Sequence, residues 1–138
     1  MTPELWWMTW TAILAGSLWI PYIVGVNTEP ATEGARPEDP FTRPPSQSDM
    51  RPWVHRAHRA HLNLLEQFLP MLALVLIAHA AGVNTGVTVW ATGLFFAARV
   101  LHAVGMITGK AGFPLRPMIF NFGWFCILAM GGAILLSA

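Results

Sequence analysis

Charged side chains are scarce in this sequence. Lys, Arg, Asp and Glu make up 11% of its 138 residues, whereas soluble domains carry roughly a quarter. Hydrophobic side chains make up 54%, and their runs approach the ~20 residues that a helix needs to cross a bilayer. This composition predicts membrane lipid around the chain. The net charge is only +1, so we expect no nucleic acid partner. The composition indicates one small integral membrane domain.

Cysteine is almost absent, because Cys126 is the only one. An internal disulfide is therefore excluded, and the apolar run around Cys126 predicts a buried, inert thiol. A basic leader is also missing ahead of the first apolar segment, which is too long for the apolar region of a secretory signal. We therefore expect that segment to be a permanent membrane helix.

Turn-forming residues divide the apolar sequence into four segments. The predicted fold is an all-α membrane protein, a bundle of four transmembrane helices. Pro21 should bend or end the first helix. A polar, proline-rich loop is expected at 27–52, a tight turn near Gly82 and a second loop at 108–115. The helices are predicted over about 5–26, 53–81, 87–107 and 116–136.

Basic residues indicate the orientation. Four crossings put both termini on one side of the membrane and the loops 27–52 and 108–115 on the other. All eight basic residues fall on the loop side, and such residues are enriched in cytoplasmic loops. We therefore predict a multi-pass protein with both termini outside and both loops in the cytoplasm.

Polar residues gather on the second helix, in its cytoplasmic half. Arg59, Asn63 and Glu66 stand at i, i+4 and i+7, so they share one face. A carboxylate at the edge of hydrocarbon needs a cation or several donors from within the bundle. Arg99 and His102 on the third helix lie at a similar depth. One alternative is a Glu66–Arg99 ion pair that only locks two helices, but the number of polar groups favours a binding or catalytic site.

Histidines raise the question of a metal. His55, His58 and His61 recur every third residue, and His102 would complete such a cluster. This spacing drifts around a helix, and no Asp, Cys or second Glu stands nearby to complete a ligand set. We predict no metal and read these residues as interfacial histidines; haem ligation is an alternative supported by spacing alone.

Three motifs resemble those of the MAPEG family, the membrane-associated proteins in eicosanoid and glutathione metabolism. The resemblance covers nearly the whole chain, including the helix count and the long first loop. The second-helix motif is the most specific of the three. The motifs are Arg59 to Glu66 (RAHLNLLE) with Pro70, Arg99 to His102 (RVLH) with Gly105, and Pro114 to Arg116 (PLR).

The resemblance implies a homotrimer that binds glutathione between neighbouring subunits near the cytoplasmic face. Glutathione would be the co-substrate, and a lipophilic second substrate would arrive from the bilayer. Family members conjugate glutathione to lipophilic electrophiles, reduce lipid hydroperoxides or isomerise prostaglandin endoperoxides. The leading hypothesis is therefore a glutathione-dependent membrane enzyme, a transferase or a peroxidase.

The resemblance also assigns roles to residues. Arg59 and another arginine would pair with the carboxylates of glutathione, and Glu66, helped by Asn63, would accept its ammonium. Arg116 matches the family's arginine beside the thiol and is the candidate catalytic residue. The expected glutathione-binding residues are Arg59, Asn63, Glu66, Arg99 and His102.

Hydroxyl groups are missing where some family members carry them. Met106 and Phe120 stand at positions where tyrosine occurs, and Pro117 stands where serine occurs. Donors that would steady a thiolate are therefore absent, which leaves open a catalytically inactive protein that binds glutathione or lipid.

A small proton-coupled transporter is a further alternative, with Glu66 and His102 as the relay. It requires a water path across both leaflets, and the first and fourth helices carry almost no ionisable residues.

Overall fold

The computed structural model describes residues 1–29 and 49–137, and each regular element in these ranges is an α-helix. Four stretches are long and apolar enough to cross a membrane, the first of them formed by α1 and α2 together. The predicted all-α fold with four spans is confirmed, and each predicted bound lies within about two residues of the observed one. Most of the predicted loop 27–52 lies outside the described residues. The helices are α1 (Pro3–Ser17), α2 (Ile20–Thr28), α3 (Pro52–Ala80), α4 (Gly86–Thr108) and α5 (Leu115–Ser137).

Pro21 explains the break between α1 and α2. A proline has no backbone N–H, so the carbonyl four residues earlier, that of Ser17, loses its usual helical donor. Helix α1 ends at Ser17 and α2 begins at Ile20. The predicted interruption is therefore present, and it lies one turn before the proline itself. The second internal proline, Pro70, leaves α3 unbroken.

One end of the bundle is joined by contacts around the beginning of α3. The indole N–H of Trp53 donates to Glu29 Oε2 at 2.9 Å, which links the end of α2 to α3. Arg56 donates from Nε to the carbonyl oxygen of Met106 at 2.9 Å, which satisfies the last turn of α4. The end of α2, the start of α3 and the end of α4 therefore lie together.

The opposite end is joined by Glu4, a buried carboxylate in the first turn of α1. It accepts a hydrogen bond from Thr88 Oγ1 at 2.5 Å and another from Asn84 Nδ2 at 3.0 Å. Thr88 also closes a capping box with Thr85 at the start of α4. These contacts and those at the other end show that the first three spans alternate in direction.

The interior is apolar along most of its length, and small residues such as Ala57, Ala60 and Ala98 let the helices approach closely. Cys126 lies buried as a free thiol, which confirms its predicted burial. Many large apolar side chains point outwards, as lipid-facing residues do. The largest buried cluster contains Met8, Met71, Val75, Ala78, Ala91, Phe95, Cys126, Met130 and Ile134.

Candidate functional site

The three predicted residues of α3 differ in exposure. Asn63 is 5% exposed, Arg59 is half-buried and Glu66 is exposed. Helical spacing still aligns them along one face of α3, but the other helices of the subunit bury only Asn63. Within the part of the chain that the structure describes, none of these side chains makes a hydrogen bond. The predicted face therefore opens, at Glu66, to the outside of the subunit.

Arg99 and His102 lie inside the bundle, 1% and 2% exposed. Arg99 donates from Nη2 to the carbonyl oxygen of Ile119 on α5 at 3.1 Å. Its guanidinium carbon lies 5.6 Å from the ring centroids of Phe95 and Phe120, a distance at which aromatic rings stabilise a cation. The remaining Arg99 nitrogens, Nε and Nη1, and His102 Nε2 are buried without a hydrogen-bond partner.

A Glu66–Arg99 ion pair that would lock α3 to α4 does not form among the described residues. Glu66 lies at the surface of the subunit, whereas the guanidinium of Arg99 points towards α5. An unpaired buried cation costs several kcal/mol of desolvation free energy, which hydrogen bonds and ring contacts offset only in part. The two residues therefore do not form a structural clamp between α3 and α4.

Gln67 and Gly123 belong to the same polar cluster and were not among the predicted residues. Gln67, 5% exposed, donates from Nε2 to the carbonyl oxygen of Phe120 at 3.0 Å. Gly123 leaves space for Gln67 and Arg99 against the backbone of α5. The sequence feature that points to Gln67 is its polar side chain next to an apolar run, because a buried polar side chain needs a hydrogen-bond partner.

Arg116 is exposed on the first turn of α5. It lies close enough to His102 for an electrostatic interaction. A helix N-terminus carries a partial positive charge, so this end of α5 adds to the attraction of Arg116 for an anion. The arrangement suits an anionic group held near Arg116 and His102.

The residues that stand where hydroxyl groups occur in the family differ in burial, and Pro117 is exposed. Met106 is 2% exposed and joins a buried apolar cluster. The Phe120 ring is partly buried, and its centroid lies 6.1 Å from that of His102. The only tyrosine, Tyr22, stacks on His58 with ring centroids 4.5 Å apart. Across residues 1–29 and 49–137, no three His, Cys, Asp or Glu side chains group as metal ligands would.

A second polar cluster lies at the other end of the bundle, around Glu4. Beside it is a cavity of about 250 Å³. Both Glu4 carboxylate oxygens accept hydrogen bonds from α4 or its preceding turn, so the cluster holds α1 against α4. The lining residues are Thr2, Glu4, Val75, Ala78, His79, Gly82, Val83 and Asn84.

Known proteins share this sequence pattern. Over 84 residues, the chain is 32% identical to microsomal glutathione S-transferase 1 of Homo sapiens and of Sus scrofa, and 31% identical to that of Mus musculus. The match covers 61% of this chain and 54% of each relative, so the chain spans about half the length of the curated relatives it matches. A model of the MAPEG family matches residues 5–136. The chain therefore belongs to the MAPEG family.

Proposed function

We propose that this protein is a glutathione-dependent membrane enzyme that transfers glutathione to lipophilic electrophiles or reduces lipid hydroperoxides. Membership of the MAPEG family and similarity to microsomal glutathione S-transferases support a glutathione-related function. The observation that carries the proposal is Glu66, an exposed carboxylate within a membrane-spanning helix. Arg59 lies on the same face of α3, and Arg116 lies on the neighbouring helix α5. These charges complement a ligand that carries an ammonium and carboxylates.

Binding would use the polar face of α3. Glu66 accepts hydrogen bonds from the ammonium of glutathione, and the amide of Asn63 assists it. Arg59 pairs with a glutathione carboxylate through two parallel N–H donors. Arg99 and His102 complete the proposed set from inside the bundle, because Arg99 Nε and Nη1 and His102 Nε2 have unused hydrogen-bonding capacity.

The chemistry would depend on Arg116. A guanidinium beside the thiol favours loss of the thiol proton to water, and the thiolate is the reactive form. In conjugation, sulfur forms a bond to the electrophilic carbon and the leaving group departs with its electron pair. In peroxide reduction, the sulfur attacks one peroxide oxygen and the O–O bond breaks, which releases the lipid alcohol and leaves a sulfenic acid on glutathione. The thiol of a second glutathione then attacks that sulfur, forming the disulfide and releasing water. Lipophilic substrates would reach the sulfur through the bilayer.

The assembly proposed is a homotrimer with the site between subunits. A charged side chain within the bilayer is costly and rarely faces lipid, yet Glu66 lies on the outside of one subunit. A neighbouring copy would cover it and remove it from acyl chains. We place this site near the cytoplasmic face, with both termini outside, because the basic residues lie on the loop side.

The test is to add glutathione to the purified full chain in lipid nanodiscs. The ultraviolet absorbance of the thiolate reports activation, and a chlorinated dinitrobenzene and a lipid hydroperoxide report turnover. Glu66→Gln should weaken glutathione binding by about 2 kcal/mol or more, as loss of a charge-assisted contact does. Glu29→Gln, the same change at the end of α2, is the control. If Glu66→Gln binds glutathione as tightly as the Glu29→Gln control does, Glu66 is not part of the binding site.

A second candidate is a protein that binds glutathione or lipid without catalysis. The apolar Met106 and Phe120, where hydroxyl donors could otherwise steady a thiolate, favour it. Glutathione binding with no thiolate absorbance and no turnover would select this candidate over the enzyme.

A further inference from the structure

Two side chains from different helices hold the beginning of α5. Gln67 on α3 donates to the carbonyl oxygen of Phe120 at 3.0 Å, and Arg99 on α4 donates to that of Ile119 at 3.1 Å. The two carbonyls are consecutive, so both bonds act at one point of α5. That point lies one helical turn after Arg116, on the side that Arg116 shares with Phe120.

Gly123 permits this close approach. A Cβ atom at that position would lie 2.5 Å from Gln67 Oε1 and 2.6 Å from Arg99 Nη2. Both distances are well inside van der Waals contact. Gln67 is 5% exposed and Arg99 is 1% exposed, so neither side chain has open space into which it can withdraw. Helix α5 therefore presents bare backbone to the two donors.

The bond from Gln67 also connects the two halves of the proposed site. Gln67 directly follows Glu66 on α3, one turn after Asn63, and α3 carries the residues proposed to bind glutathione. Arg116 makes no side-chain hydrogen bond within the described residues. Its position relative to α3 therefore depends on how α5 is held.

We propose that Gln67 is a positioning residue for Arg116. Through the Phe120 carbonyl, beside Gly123, it sets the distance between the Arg116 guanidinium and the sulfur of glutathione bound on α3. This inference rests on the proposed function. A charge stabilises an anion less as the distance between them grows, so loosening α5 should reduce thiolate formation while the carboxylate and ammonium contacts on α3 persist.

The experiment compares three variants of the full chain in lipid nanodiscs. Gln67→Met keeps an unbranched side chain of similar length but removes the donor to Phe120. Gly123→Ala pushes Gln67 and Arg99 away from α5. Gly132→Ala is the matched control, because an added Cβ there meets nothing within 4 Å. Each variant is measured for glutathione affinity, thiolate absorbance and the pH dependence of conjugation.

We expect Gln67→Met to bind glutathione within about twofold of the parent, whereas Gly123→Ala also displaces Arg99 of the proposed binding set and should lose some affinity. Both variants should conjugate about tenfold more slowly. Their thiolate absorbance should fall, and the pH at which conjugation is half-maximal should rise. Gly132→Ala should match the parent. If Gly123→Ala does not fold, Gln67→Met carries the test alone.

Two results would overturn the positioning role while the proposed function stands. One is a Gln67→Met variant with the thiolate absorbance and pH profile of the parent. The other is a Gln67→Met variant that loses affinity as much as turnover, because Gln67 would then support binding. A parent protein that shows no thiolate absorbance and no turnover contradicts the proposed function itself.

Discussion

At the scale of single residues, Arg116 is proposed to act on the sulfur rather than on the rest of glutathione. We expect Arg116→Ala to keep glutathione affinity within about twofold and to lose most conjugation of a chlorinated dinitrobenzene. Arg116→Lys retains a charge at the site and should keep part of the thiolate absorbance. A parallel loss of affinity and turnover in Arg116→Ala would make it a binding residue.

Glu4 has a structural role at the opposite end of the bundle, and its loss should affect stability alone. Glu4→Ala removes the acceptor for Thr88 and Asn84. We expect a decrease of about 1–3 kcal/mol in the free energy of unfolding, because buried donors lose their partner. Denaturant unfolding in detergent measures it. Changed glutathione affinity in a folded Glu4→Ala protein would contradict the separation of the two ends.

Residue spacing in the sequence predicted part of the candidate site. The i, i+4 and i+7 spacing correctly aligns Arg59, Asn63 and Glu66 along α3, but it does not show which of them a neighbouring helix covers. Gln67 was missed for a related reason: its role depends on the backbone of α5, which has no side-chain signature. On α5 the contact depends on Gly123, and a single glycine in an apolar helix does not by itself predict such a contact.

At the scale of elements, the contact between α2 and α3 depends on Gly25. A Cβ there would lie 2.8 Å from the Trp53 ring and closer still to Val54. We expect Gly25→Ala to destabilise the protein by about 1–3 kcal/mol, as overpacking does. In Gly16→Ala, an added Cβ meets nothing within 4 Å, so this control shows the gain in helix propensity alone. Equal or higher stability in Gly25→Ala would contradict the tight contact.

Helices were the most predictable part of this fold. A span needs about 20 apolar residues, and loops rich in proline and glycine separate such runs, so length and composition locate all four. The break before Pro21 follows from the missing N–H of proline. The cluster of Gln67, Arg99 and Phe120 could not be predicted in this way, because it depends on the rotation of each helix about its own axis.

At the scale of the whole molecule, the orientation in the membrane remains a prediction from the basic residues. We expect a cysteine introduced as Lys110→Cys to react with a membrane-impermeant maleimide only from the cytoplasmic side, in a Cys126→Ala background. A cysteine introduced as Thr85→Cys, in the turn at the other end of the spans, is the control and should react only from outside. The reverse pattern would invert the topology and move the proposed site to the outer face.

The proposed homotrimer and the proposed glutathione site depend on each other, because Glu66 lies on the outside of one subunit and a neighbouring copy would shield it from lipid. A structure of the full chain in lipid with glutathione bound tests both most directly. The account predicts three copies, with the tripeptide between them in contact with Arg59, Asn63 and Glu66 and its sulfur beside Arg116. Glu66 facing acyl chains, with no glutathione at the subunit boundary, would contradict it.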